Sequence, residues 1–189
     1  QNVEVSVNQT IVDQAGNTLL TIVDTQQEVD TVNPEVAASS NDVIDGGTVS
    51  DVDPTVEYTI TFTEQVSALT VDDINVVGAT VDGVVLSPNG LSASVTVTAD
   101  DNSDTPITIS VDQSVTDMVD NIMVANLSAE QAVDTINPTV VIDESFGSSV
   151  DDNIVADADQ PVTYSMTFSE PVQSFTAADI DTGSNGTLQ

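Results

Sequence analysis

The sequence predicts an all-β fold: tandem immunoglobulin-like β-sandwich domains of about 104 residues, with the chain cut out of frame with the repeats. Three observations predict it. Short alternating or β-branched runs recur between clusters of Asp, Asn, Gly and Pro, and no stretch carries a 3.6-residue apolar period. The octapeptide VDTVNPEV, beginning at Val29, returns as VDTINPTV at Val133 (133 − 29 = 104 residues on). Hydrophobic residues make up 39% of the 189, with four Phe, two Tyr and no Trp, so the cores must be thin and aliphatic.

The repeat sets the frame. At an offset of 104, VNQTIVDQAGN (7–17) pairs with VDQSVTDMVDN (111–121). At an offset of 106, YTITFTEQVSALTVDDINV (58–76) pairs with YSMTFSEPVQSFTAADIDT (164–182), which puts a two-residue insertion in the loop before it. Residues 1–29 are then the C-terminal part of one repeat, 30–133 a complete repeat, and 134–189 the N-terminal part of the next. This framing implies a longer head-to-tail array.

Within the complete repeat the strands read in order as EVAAS, TVEYTITFT, DINVVGATV, GVVLS, LSASVTVTA, PITISV and MVANLSAE. In TVEYTITF, Val56, Tyr58, Ile60 and Phe62 share one face and Thr55, Glu57, Thr59 and Thr61 the other, as when one face is core and the other wet. Tyr58, Phe62, Tyr164 and Phe168 stand at strand spacing and read as core.

Charge narrows the chemistry. There are 32 acidic side chains and no Lys, Arg or His, so the formal charge is −32 with no internal counter-ion. Nucleic acid and anionic lipid are excluded as partners, since both are bound by neutralising phosphates with Lys or Arg. Thin cores need a staple; with no Cys and no Lys, disulfides and Lys–Asn cross-links are out, a Thr–Gln ester remains chemically conceivable, and metal is the staple left standing. No run approaches 18 apolar residues and the first residues lack a signal-peptide pattern, so this segment reads as not inserted in a membrane.

FSEPVQSFTAADI (168–180), its weaker copy FTEQVSALTVDDI (62–74), DQAGN (13–17) and the VDT-x-NP junctions resemble the bacterial Ig-like repeats of giant secreted adhesins. That class includes biofilm-associated proteins and the extender region of calcium-dependent, RTX-type surface adhesins. The resemblance covers essentially the whole chain and implies an extracellular, bacterial cell-surface or secreted location and a spacer role. Gln65 replaces the usual Pro, and Asp120 stands where the glycine of the GN pair (Gly16) is expected.

In a sandwich of this connectivity strand order assigns each loop to a pole. The leading pole, where the chain comes in, would hold Asp30, Glu64, Asp72, Asp73, Asp117 and Asp120 with Asn33 and Asn121; Glu170 and Asp179 are the counterparts of Glu64 and Asp73 in the next repeat. The trailing pole would hold Asp42, Asp45, Asp51, Asp53, Asp100, Asp101 and Asp104, approached by Glu130 and Asp134. Clustered carboxylates, Asn amides and backbone carbonyls suit Ca²⁺, which takes six to eight oxygens in flexible geometry, better than the stricter Mg²⁺. Pro34 and Pro138 hold the preceding Asn extended, so each octapeptide reads as a hinge stiffened by an ion.

Other motifs carry less. Asp100, Asn102 and Asp104 have EF-hand spacing, but Thr105 and Val111 stand where that loop needs Gly and Glu. DTG (181–183) lacks the second carboxylate of an aspartic protease dyad, and NQT, NLS and NGT are triplets short enough to arise by chance. Without His, Cys or Lys the usual bases and nucleophiles are missing, so no enzyme is expected. The sequence thus reads as extender modules stiffened by calcium at their junctions, whose partners are neighbouring repeats of the same chain. The alternatives are a module that itself grips a host, cell-surface or self-association ligand, with the 76–92 stretch as candidate, and a general acidic adaptation to high salt.

Overall fold

The computed structural model describes residues 2–21, 24–43, 47–124, 128–145 and 163–183. By its internal contacts the chain divides into two units, Gln1–Thr135 and Ile136–Gln189.

In the first unit, an antiparallel hairpin of β1 (Asn2–Ser6) and β2 (Asp24–Glu28) precedes the linker. The strands of the complete repeat follow: β3 (Val36–Asn41), β4 (Val49–Ser50), β5 (Thr55–Phe62), β6 (Ile74–Val77), β7 (Ala79–Leu86), β8 (Ser92–Ala99), β9 (Ile107–Val111), β10 (Ala129–Gln131) and β11 (Val133–Asp134). One antiparallel sheet runs β3-β5-β8-β7 and a second β10-β9-β6. Four strands against three, in that order, is the constant-type immunoglobulin sandwich. β4 and β11 add a short parallel pair that ties the end of the complete repeat to the segment between β3 and β5.

Alternation builds the core. Along β5 and β8 every second residue is buried: Val56, Tyr58, Ile60 and Phe62 face Ala93, Val95, Val97 and Ala99 on the same side of the sheet. Ile107, Ile109 and Val111 of β9 come from the opposite sheet, and Val66, Leu69, Val115 and Met123 close the leading end. Each such side chain contributes about 1.5–3 kcal/mol when fully buried.

The run expected as one strand, DINVVGATV, is two strands in two different sheets. Gly78 (φ +74°) breaks it, because the chain must cross from the three-stranded to the four-stranded sheet there with the Pro106 and Thr105 carbonyls against it. ATV and GVVLS instead join as one edge strand, β7, with a register shift between Val81 and Gly83. The 76–92 stretch is therefore sheet edge and turn.

In the second unit β12 (Val140–Ser145) pairs antiparallel with β13 (Thr163–Phe168), in register from Val140↔Phe168 to Ser145↔Thr163. Phe168 meets Phe175 edge-on at 5.1 Å. Tyr164, expected in a core, is 55% exposed, whereas its counterpart Tyr58 is fully buried. The strands β8 and β9 that help bury Tyr58 have no counterpart among the described residues of 136–189.

Candidate metal centre

A carboxylate in this chain can be satisfied only by hydrogen-bond donors or by something from outside. Many are satisfied locally. Asp73 Oδ2 accepts from the Thr70 amide (2.8 Å) and hydroxyl (2.7 Å), closing the 3-10 turn Val71–Asp73. Asp179 repeats this with Thr176 at 2.8 and 2.9 Å, and those hydrogen bonds hold its carboxyl below the usual carboxylate range. Glu57 accepts from Ser94 Oγ (2.5 Å), and Asp82 from Thr98 Oγ1 (2.6 Å). Asp112 accepts from the Ser114 amide (2.7 Å), the main cause of its lowered pKa. Hydroxyls and amides do here what Lys and Arg do elsewhere.

The exception lies at the leading pole. Among the described residues one group of three carboxylates converges: oxygens of Asp30, Glu64 and Asp117 all lie within 4.8 Å of one another. Each is placed by a different element. Asp30 sits on the linker, its Oδ1 accepting from the Val32 amide at 3.0 Å. Glu64 follows β5 in the loop to β6, and Asp117 lies in the loop between β9 and β10. The two loops are tied by the Val66↔Asp117 bridge, the Ser67 amide on Thr116 O (2.8 Å) and the paired hydroxyls of Ser67 and Thr116 (3.1 Å).

The linker is fastened to the same loop. Asn33 Nδ2 donates to Ile122 O at 2.7 Å, the Val124 amide to Pro34 O at 3.2 Å, and Pro34 is buried. Asn33 thus serves the site by position, through its amide nitrogen.

The three carboxylates are not alike. Asp117, 3% exposed, is gripped in a closed turn: its Oδ1 accepts from the Val119 (2.8 Å) and Asn121 (2.9 Å) amides and its Oδ2 from Asn121 Nδ2 (2.8 Å). Burial pushes this carboxyl up, but the hydrogen bonds together outweigh burial and leave it low and ionised. The same turn is built by Asp13 and Asn17, where Asp13 takes the Asn17 amide and side chain at 2.8 Å each. The position before the Asn has positive φ in both copies, +86° at Gly16 and +69° at Asp120.

Glu64 is the opposite case. Its Oε1 is buried with no hydrogen-bond partner, and burial first, then the charges of Asp30 and Asp117, push its pKa up. Its counterpart Glu170 also has a buried, unpartnered Oε1. Two oxygens bound to one Ca²⁺ at about 2.4 Å are at most about 4.8 Å apart, so the three carboxylates fit around a single ion. Such an ion would supply the charge that Glu64 lacks.

The other expected ligands lie apart. Asp72 is exposed on the 3-10 turn beside Asp73, and Asp120 is exposed at the tip of the Asp117 turn. Asp51, Asp53, Asp100, Asp101, Asp104, Glu130 and Asp134 are exposed, and none joins a group of three among the described residues. Asp42 accepts from the Glu57 amide at 2.9 Å. Asp45 lies outside the described residues.

What organises the trailing pole is a neutral side chain that charge patterning does not flag. Thr135 is 1% exposed; its amide donates to Ser103 O (2.9 Å), and its Oγ1 accepts from the Ser103 amide (2.9 Å) and donates to Asp100 O (2.7 Å). The recurrence of Thr in both octapeptides was the available signal.

One comparison with known proteins agrees with this architecture. A family model described as a bacterial Ig-like domain matches residues 30–135. No curated protein matches the chain. Among solved structures, the N-terminal part of the bacterial S-layer protein SbsC is similar at 13% identity with a TM-score of 0.37, over 74% of this chain and 42% of that one.

Proposed function

We propose a function from one premise: the chain belongs to the bacterial Ig-like domain family. It is a structural, non-catalytic extender of a bacterial surface adhesin, and its repeats are stiffened by Ca²⁺ held by Asp30, Glu64 and Asp117. The observation that carries this reading is the buried, unpartnered Glu64 Oε1 beside two further carboxylates, in a chain with no cationic side chain.

The mechanism is electrostatic. Asp30 belongs to the VDT-x-NP linker, while Glu64 and Asp117 belong to the body of the repeat that follows. Without an ion the three charges repel and the Asp30 end of the linker is loosened while Asn33 and Pro34 stay fastened; with one, repulsion becomes coordination and Asp30 is pinned as well. A series of such pins turns flexible beads into a stalk that holds a distal binding domain away from the cell for adhesion or biofilm formation. Affinity in the range of other extracellular calcium modules, about 10⁻⁴–10⁻³ M, keeps the stalk loaded at millimolar calcium.

The test is calorimetry and small-angle scattering of the chain in 10 mM CaCl₂, in EGTA and in KCl of matched ionic strength. Calcium should raise the melting temperature and lengthen the scattering-derived maximum dimension, and Glu64→Gln should abolish both effects. Equal profiles in calcium and EGTA would sink the reading, and equal stabilisation by KCl would replace it with a general response to salt.

A further inference from the structure

The clearest fastening in the molecule is at the trailing pole and involves no charge. The terminal segment of the complete repeat is tied on both sides. Upstream, Gln131 Nε2 donates to Gly47 O (2.7 Å), the Val49 amide to Ala132 O (3.0 Å), and Val133–Asp134 pairs in parallel with Val49–Ser50. Val133 is 6% exposed. Downstream, Thr135 is locked to the loop between β8 and β9 by the three hydrogen bonds to Ser103 and Asp100 described above.

A hydroxyl has one proton and two acceptor positions. Here the proton goes to Asp100 O at 2.7 Å, the nearer of two carbonyls, with Ser103 O at 3.1 Å, and an acceptor position takes the Ser103 amide. Valine has the same shape and can do neither, so this buried pocket selects Thr for its hydroxyl. Every partner in the clasp is a backbone group or a neutral side chain.

We propose that Thr135 is a clasp that makes Val133–Thr135 a permanent, ion-independent part of the repeat it ends. The VDT segment stays fastened to the repeat it ends whatever the ionic conditions. The clasp also acts as a positioning device. Asp134, held between clasped Thr135 and buried Val133, occupies the position that Asp30 has in the earlier octapeptide. The clasp therefore fixes the backbone that carries the Asp134 carboxylate. The proposal shares its junction with the cation reading but does not depend on calcium being bound.

The test is amide hydrogen exchange by NMR on the full 189-residue chain, in calcium and in EGTA. The Thr135 and Ser103 amides should be protected to the same degree in both. In Thr135→Val these two amides should exchange roughly tenfold faster while Val97 in the core is unchanged, and Thr135→Ser, which keeps the hydroxyl, should restore much of the protection. If Thr135→Val fails to fold, the parent and Thr135→Ser decide alone. Unprotected Thr135 and Ser103 amides in the parent overturn the clasp. Protection that vanishes in EGTA overturns its independence from ions. Absence of any calcium effect elsewhere in the chain, with this protection intact, defeats the cation reading and leaves the clasp standing.

Discussion

The two poles of the complete repeat hold comparable numbers of acids and use them differently. At the leading pole Asp30, Glu64 and Asp117 are driven within 4.8 Å of one another, and a Glu64 oxygen is buried without a partner. At the trailing pole Asp51, Asp53, Asp100, Asp101 and Asp104 stay exposed, and a threonine makes the fastening. Acid density therefore does not make a site. Convergence does, and it occurs where a linker and two cross-tied loops meet. One pole should answer to cations, the other should not.

Glycine substitutions probe that division most strongly. A Cβ on Gly78 would sit 2.7 Å from Pro106 O and 2.8 Å from Thr105 O, both backbone atoms next to the clasped loop, on a residue at φ +74°. Gly78→Ala should cost about 3 kcal/mol in chemical denaturation, equally in calcium and EGTA. A Cβ on Gly90 would meet Gln65 Cγ at 2.6 Å and Val66 O at 2.7 Å, in the loop that carries Glu64. Gly90→Ala should lose comparable stability and also weaken the calcium response. If both variants respond to calcium as the parent does, Glu64 does not report on the ion.

Next in size is the ion itself. At a hundredfold excess over Kd a single bound ion stabilises by about 2.7 kcal/mol, and Glu64→Gln should remove that increment. In EGTA the same variant should melt above the parent, because it deletes a carboxylate whose charged form is disfavoured. Acid gives the matching sign. Glu64 has a raised pKa when folded, so protonating it as pH falls through that value favours the ion-free fold. Asp117 has a lowered pKa, so its contribution is present above the ordinary carboxylate value and is lost only as pH falls through the lowered one. The ion-free chain should thus gain stability on mild acidification before losing it, whereas the calcium-loaded chain should lose stability from the outset as protons displace the ion. Relief of general repulsion stabilises parent and Glu64→Gln alike, so the difference between their melting curves isolates Glu64.

Much of this was legible in the sequence. Repeat matching and period-two alternation located the sandwich and its faces, and strand order assigned Asp30, Glu64 and Asp117 to one pole. Selecting those three from their neighbours required geometry, because Asp72, Asp73 and Asp120 share the same loops and chemistry. Thr70-x-x-Asp73 and Thr176-x-x-Asp179 do have the spacing of a capping box, which shows where Asp73 and Asp179 are spent. Thr135 was hidden for another reason: a clasp built on backbone carbonyls leaves no pattern of charge or periodicity, only the repetition of Thr itself. Gly78 was visible as a glycine within an alternating run, but which sheet each half would join is a tertiary matter.

The smallest expected effect tests the turn that grips Asp117. Asp120 adopts φ +69°, as Gly16 does at φ +86° in the equivalent turn, yet only Asp120 carries a side chain there. Asp tolerates this region better than most residues, and glycine at that position adds freedom to the unfolded chain worth about 0.4–1 kcal/mol. The strain relieved in Asp120→Gly is thus largely offset, and the net gain should be a few tenths of a kcal/mol by denaturant titration. Because the Asp117 hydrogen bonds to Val119 and Asn121 do not involve the Asp120 side chain, calcium affinity should hold steady. A marked fall in affinity in Asp120→Gly would make Asp120 a ligand in its own right, and the leading pole a larger site than the three convergent carboxylates.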